Sequence, residues 1–336
     1  MKKRKLILVA LSVVMSTIVW ASDTTKTIVT KEVKQEDASP KGKAIVSVFA
    51  NYNMTMQNGV SKCGFQLDRT YLGYQYSLGN GLELKAVMDI GKPSSVDDYH
   101  YVAYIKNAQV SWKHKGLTLA GGMISTTQFN MQEKFWGYRY IYKSFQDQYK
   151  FGSSADLGLS VAYKMADWVS ADAIMTNGEG YKKVQGNLGF QYGLGLTFTP
   201  VKGLSVRVYG GLNNATDAEK VNVYNYAGFV GYKNKAFSLG GEFAMMQNSG
   251  NAKNKNQLGC SVYGSVKAHK IVDVYARWDM LTSNNGWNTE KDEMAVIAGA
   301  QMKLGKYVKV APNFRMTLPK DGESKYMAYV SCYFGL

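Results

Sequence analysis

The 336-residue chain carries 40 Lys+Arg against 25 Asp+Glu, with 34 Gly, 24 Tyr, five Pro, three His and three Cys. Cys63, Cys260 and Cys332 are too scattered for a disulfide framework or a paired-cysteine metal site, and the basic excess lacks the clustered run of a nucleic-acid binder. Beyond the first 21 residues no apolar run approaches the ~18 residues of a membrane helix, whereas scarce Pro and abundant Tyr suit β-strands at a membrane interface.

Met1-Lys2-Lys3-Arg4-Lys5 precede a largely apolar stretch from Leu6 to Trp20, and Val19-Trp20-Ala21 offers a small-residue cleavage site. Residues 1–21 are therefore expected to be a secretory signal peptide. They hold four of the basic residues and no acidic one, so the remainder keeps a formal charge of +11. That excess favours anionic solutes or an anionic membrane surface as partners. Residues 22–43 are polar and charged, with Pro40 near their end, and read as a periplasmic N-terminal segment.

From Ala44 onward the apolar residues recur at every second position. In 82–90, Leu82, Leu84, Ala86, Met88 and Ile90 share one face, while Glu83, Lys85 and Asp89 share the other. The stretch 272–280 splits in the same way, with Val272, Val274, Ala276, Trp278 and Met280 opposite Asp273, Arg277 and Asp279. A helix would mix these sets. Strands are expected near 44–56, 63–78, 82–91, 101–113, 117–124, 154–164, 168–176, 188–199, 203–212, 223–233, 236–247, 257–268, 271–282, 293–304, 307–317 and 325–335.

Every connection after an even-numbered strand is short, and almost every one after an odd-numbered strand is longer. This pattern predicts an all-β transmembrane antiparallel barrel of about 16 strands over 44–336, with short periplasmic turns and long external loops. A soluble sandwich also alternates, but it needs no such difference between its two ends. The last strand places Tyr326, Ala328, Val330, Cys332, Phe334 and Leu336 on one apolar face. It resembles the terminal strand by which outer-membrane barrels are recognised for assembly, with Leu336 in place of the usual final Phe.

The longest connection, 125–153, follows the fifth strand and is rich in aromatic residues. Gln132-Glu133-Lys134-Phe135-Trp136-Gly137-Tyr138-Arg139, Phe151-Gly152-Ser153-Ser154-Ala155-Asp156-Leu157-Gly158 and Asn177-Gly178-Glu179-Gly180-Tyr181 make the chain resemble Gram-negative porins. Within them it is similar to the phosphate-selective porin-like group common in Bacteroidetes. The resemblance implies a trimeric, water-filled outer-membrane channel whose third loop folds inward and narrows the pore. The expected constriction sets Lys134, Arg139 and Lys143 against Glu133 and Asp147.

Strand parity assigns Arg69, Lys85, Arg207, Lys267, Arg277, Lys309 and Arg315 to the lumen, together with Glu83, Asp89, Asp172, Glu242, Asp273, Asp279 and Glu293. Arg315, Lys309, Arg277 and Arg207 are either a basic ladder or residues paired with wall carboxylates, such as Arg277 with Asp273 or Asp279. The expected function is passive diffusion of small hydrophilic solutes with a mild anion, phosphate-like preference. Lipid and lipopolysaccharide are expected as surroundings, a homotrimer as the assembly, and no nucleic acid as a partner. His100, His114 and His269 show no metal spacing, and no nucleophile motif is present, so no catalytic residue, metal or cofactor is expected. The rival reading is a barrel-anchored surface-binding or adhesion protein without an open pore.

Overall fold

The structure, a computed structural model, describes residues 41–93, 100–184, 186 and 189–336. The expected signal peptide and residues 22–40 of the polar segment lie outside the described residues, while 41–43 open the first strand.

Sixteen strands form the wall: β1 (Lys41–Gln57), β2 (Val60–Gly79), β3 (Leu82–Gly91), β4 (Val102–His114), β5 (Leu117–Ser125), β6 (Ala155–Ala166), β7 (Val169–Thr176), β8 (Gln191–Phe198), β9 (Leu204–Asn213), β10 (Val223–Lys233), β11 (Phe237–Gln247), β12 (Gln257–Lys267), β13 (Val272–Ser283), β14 (Glu293–Leu304), β15 (Val308–Pro319) and β16 (Lys325–Gly335). Each pairs antiparallel with its chain neighbours, and β1 closes on β16 from Ser47↔Gly335 to Met56↔Tyr326. Closure satisfies the backbone of both would-be edge strands, which is the condition for an extended sheet in hydrocarbon.

Alternation along each strand becomes a difference between the two sides of the wall. In β3, Leu84 and Met88 are exposed on the outside, whereas Val87 and Asp89 are buried inside. Leu159 and Leu194 extend the same apolar exterior around the barrel. A continuous apolar outside around a charged inside is the reverse of a soluble sandwich and is stable against lipid.

The connections after even-numbered strands are two to five residues long. Asn80-Gly81 shows why: both have positive φ (51° and 80°), which matches the twist of a two-residue hairpin, and a Cβ on Gly81 would lie 1.9 Å from the Lys113 carbonyl oxygen. On the opposite rim, β1 and β2 are joined by Asn58-Gly59 alone. They pair with one another along their full length and so form the longest hairpin of the wall.

Two bulges break the register. Between Phe49↔Arg69 and Ala50↔Leu67 the extra residue is Asp68, and between Val87↔Asn107 and Met88↔Ile105 it is Lys106. Each bulge places a further charged residue where strict alternation allows none.

The aromatic core lies inside the barrel. Residues 126–154 join β5 to β6 and contain two short helices, α1 (Asn130–Trp136) and α2 (Phe145–Gln148). Trp136, Tyr138, Tyr140 and Ile141 of this connection pack with Phe49, Phe229, Tyr263, Tyr275 and Ile297 of the wall. Phe145, Tyr149 and Phe151 pack with Tyr209, Val223, Ala227 and Ala244.

Candidate functional site

The β5–β6 connection is held by shape first. Phe135 meets Phe229 with centroids 5.0 Å apart, and a Cβ on Gly231 would lie 2.7 Å from the Phe135 ring, so the missing side chain there admits α1. Trp136 packs edge-on to Tyr263 and Tyr275, and Tyr138 stacks on Tyr275 at 4.5 Å. Gly137, in the left-handed conformation (φ 72°), ends α1 with its N–H on the Glu133 carbonyl. The chain can then turn back, and the Trp136 indole donates to the Tyr142 carbonyl at 2.8 Å.

Three wall arginines then donate to carbonyls of the same connection. Arg207 reaches Thr127 at 2.8 Å, Arg277 reaches Lys143 at 2.6 Å and Arg315 reaches Ile141 at 2.7 Å. Arg207 is also paired with Asp172 at 2.6 Å, and Arg277 with Asp279 at 2.6 Å in a fully buried pair. Asp273, the other partner considered for Arg277, instead pairs with Lys303 at 2.6 Å. Arg315 has no carboxylate within ion-pair distance among the described residues; it bonds Asn313 and lies 3.6 Å from the centroid of Tyr329. The wall acids contribute in the same way, since Glu242 accepts from Gln146 and Glu293 from the Tyr149 hydroxyl, both at 3.0 Å.

The charged side chains of the connection converge with those of β2. Arg139 bonds Glu133 at 2.9 Å and Asp147 at 2.5 Å, and its guanidinium also donates to the hydroxyl of Tyr71 on β2. The same hydroxyl accepts from Arg69 at 2.9 Å and from Lys106 at 3.2 Å. Arg69 pairs with Asp89 at 3.2 Å, and Asp89 accepts from Tyr181. Burial pushes the Asp147 carboxyl up, but the charges of Arg139 and Lys143 outweigh it and bring it to about 2. Burial pulls the Lys143 ammonium below the ordinary lysine range.

The structure thus brings Glu133, Arg139 and Asp147 into one cluster, with Lys143 beside it. Lys134 is exposed at the end of α1 and makes no ion pair among the described residues. Lys309 lies over the Tyr333 ring at 4.9 Å, Glu83 accepts from Gln75, and Lys267 is exposed.

Tyr71, Lys106, Asp68 and Lys182 belong to this region although the parity reading did not select them. Lys106 lies 4.6 Å from the Tyr71 ring centroid and 5.7 Å from that of Tyr181. Lys182 lies 4.7 Å from that of Tyr104 and 6.0 Å from that of Tyr181. Lys85, Lys106, Lys143 and Lys182 form no ion pair among the described residues.

Solved structures share this architecture. OprB of Pseudomonas putida at high pH aligns with a TM-score of 0.70 at 10% identity, over 88% of this chain and 94% of that one. The anion-selective porin from Comamonas acidovorans aligns at 0.67 with 12% identity, over 89% and 100%. The trimer form of OmpT from Vibrio cholerae aligns at 0.57 with 16% identity, over 88% and 99%. No family model and no curated protein matches the sequence. At these identities the likeness establishes the fold, a sixteen-stranded barrel of the outer-membrane porin type.

Proposed function

We propose that the protein is a porin of the Gram-negative outer membrane. It forms a water-filled channel for passive diffusion of small hydrophilic solutes, with a mild preference for anions, and works as a homotrimer akin to the phosphate-selective porin-like group. The trimer rests on the fold alone, through the trimeric form of one structural neighbour. The constriction in this reading is the cluster of Glu133, Arg139, Lys143 and Asp147 facing Arg69 and Lys106.

One observation carries the anion preference: Arg207, Arg277 and Arg315 are committed to the connection, and Lys85, Lys106 and Lys182 are not. Arg207 and Arg277 are neutralised by Asp172 and Asp279 while they hold backbone carbonyls. Lys182, Lys106 and Lys85 follow one another from the rim of the long connections toward the rim of the short turns. Lys182 and Lys106 flank the Tyr181 ring, and Lys85 is two positions from Val87, the residue beside the Lys106 bulge. Cations without carboxylate partners attract anions and leave them mobile, as a selectivity surface requires.

Reconstitution of the purified chain in a planar bilayer tests the channel. Stepwise ohmic conductance in KCl is expected. A membrane that incorporates folded barrels yet stays sealed would contradict the proposal and favour the barrel-anchored binding protein.

A further inference from the structure

Beside the constriction, and sharing Arg69, Arg139 and Lys143 with it, a cavity of about 300 Å³ separates residues 139–143 from β1, β2, β15 and β16. Small-molecule sites begin at about this size. Its walls are of two kinds: Phe49, Tyr140 and Tyr142 supply apolar faces, and Arg315, Lys143 and Asp68 supply charge.

Arg315 is the most constrained of these groups. It is buried, and its guanidinium lies 3.6 Å from the ring centroid of Tyr329 and 5.4 Å from that of Tyr142. Nε donates to Asn313 and Nη2 to the Ile141 carbonyl, which leaves Nη1 without a hydrogen bond among the described residues. Stacked on Tyr329 and fixed through Nε and Nη2, the guanidinium offers its Nη1 edge. A fixed edge of that kind is complementary to the plane of a carboxylate.

The other charged groups lining the cavity differ in how far they are already neutralised. Arg69 and Arg139 have carboxylate partners, whereas among the described residues Lys143 and Arg315 have no carboxylate, and Asp68 no cation, within ion-pair distance. The side chains that line the cavity are thus four cations, two of them without a carboxylate partner, against the single anion Asp68, beside a flat apolar lining.

We propose that this cavity is a binding subsite for small organic carboxylates with a flat apolar body, the carboxylate lying at the Arg315 edge and Lys143 and the body against Phe49, Tyr140 and Tyr142. The subsite rests on the channel reading, because the pore brings such solutes to it. Asp68 opposes the bound charge and sets the affinity low enough for release, as conduction requires.

The test is a titration of the full-length, detergent-solubilised protein with benzoate, followed by ligand NMR, with benzamide as the uncharged control of the same shape. Benzoate is expected to bind more tightly than benzamide. Lys143→Gln should weaken benzoate binding and Asp68→Asn should strengthen it, each by about two- to fivefold, the range for partly solvated charge pairs. Arg315→Lys, which keeps the charge and loses the planar edge, should weaken it further. If that variant does not fold, the other two decide the matter. Equal binding of benzoate and benzamide, or benzoate binding that neither Lys143→Gln nor Asp68→Asn alters, would overturn the subsite. A sealed barrel that still binds benzoate would overturn the channel and leave the subsite standing. An open channel that binds none would do the reverse.

Discussion

Asp147 is partly buried beside Arg139 and Lys143, and its carboxyl is held at about 2. An unfolded aspartate titrates near 3.9, so the native state binds the proton more weakly than the unfolded chain does. The carboxylate therefore stabilises its surroundings fully above about pH 4, and that contribution is lost as pH falls toward 2. Conductance recorded across this range should be steady down to about pH 4 and become noisy below it. In Arg139→Gln the transition should move up toward the ordinary carboxylate range, because the strongest opposing charge is gone. An acid transition unmoved by Arg139→Gln would assign the effect to another group. The types of these residues were legible in the sequence, since an aromatic connection carrying Glu133, Arg139 and Asp147 has few other ways to neutralise itself. Tyr71 was not legible: it lies on a strand distant in sequence, and nothing local marks its hydroxyl as the point where Arg69, Lys106 and Arg139 meet.

At the scale of elements, the β5–β6 connection is fastened at three places by Arg207, Arg277 and Arg315. Arg277→Met removes one fastening and leaves Asp279 buried without its partner, a loss of the kind that costs about 3–5 kcal/mol. The barrel should still close, since its ladder is independent of this pair. The connection should become mobile, detected as accelerated proteolysis within residues 126–154 and as larger current noise. Unchanged proteolysis and noise would show that the aromatic packing alone suffices. Parity placed these arginines on the inner face but left open whether they form a basic ladder or pair with wall carboxylates. Arg207 and Arg277 pair with Asp172 and Asp279, Arg315 has no such partner among the described residues, and all three also bond backbone carbonyls, which carry no signature in a sequence. The bulges are invisible for a related reason: one extra residue in β2 or β4 leaves the local alternation intact on either side, so neither Asp68 nor Lys106 stands out from its strand.

For the molecule as a whole, sixteen strands and the sidedness of their connections were legible because both depend on local features, a period of two and residues such as Asn80-Gly81 that force tight turns. Strand ends differ most at β1 and β2, which begin three residues earlier than the alternation suggested, at Lys41 and Val60, and at β8, which begins three residues later, at Gln191. Contacts across the lumen depend on closure and could not be read locally. Closure commits Arg207, Arg277 and Arg315 to the inner connection, and Lys85, Lys106 and Lys182 are among the inner cations without a carboxylate partner among the described residues. The central claim is that these lysines give the channel its ion preference. The most direct measurement is the reversal potential of the wild-type channel in a KCl gradient, beside a Lys85→Gln, Lys106→Gln, Lys182→Gln variant. The wild type should reverse at the sign of chloride preference, and the triple variant should shift toward potassium. A wild-type channel that prefers potassium, or a triple variant with an unchanged reversal potential, would contradict the account.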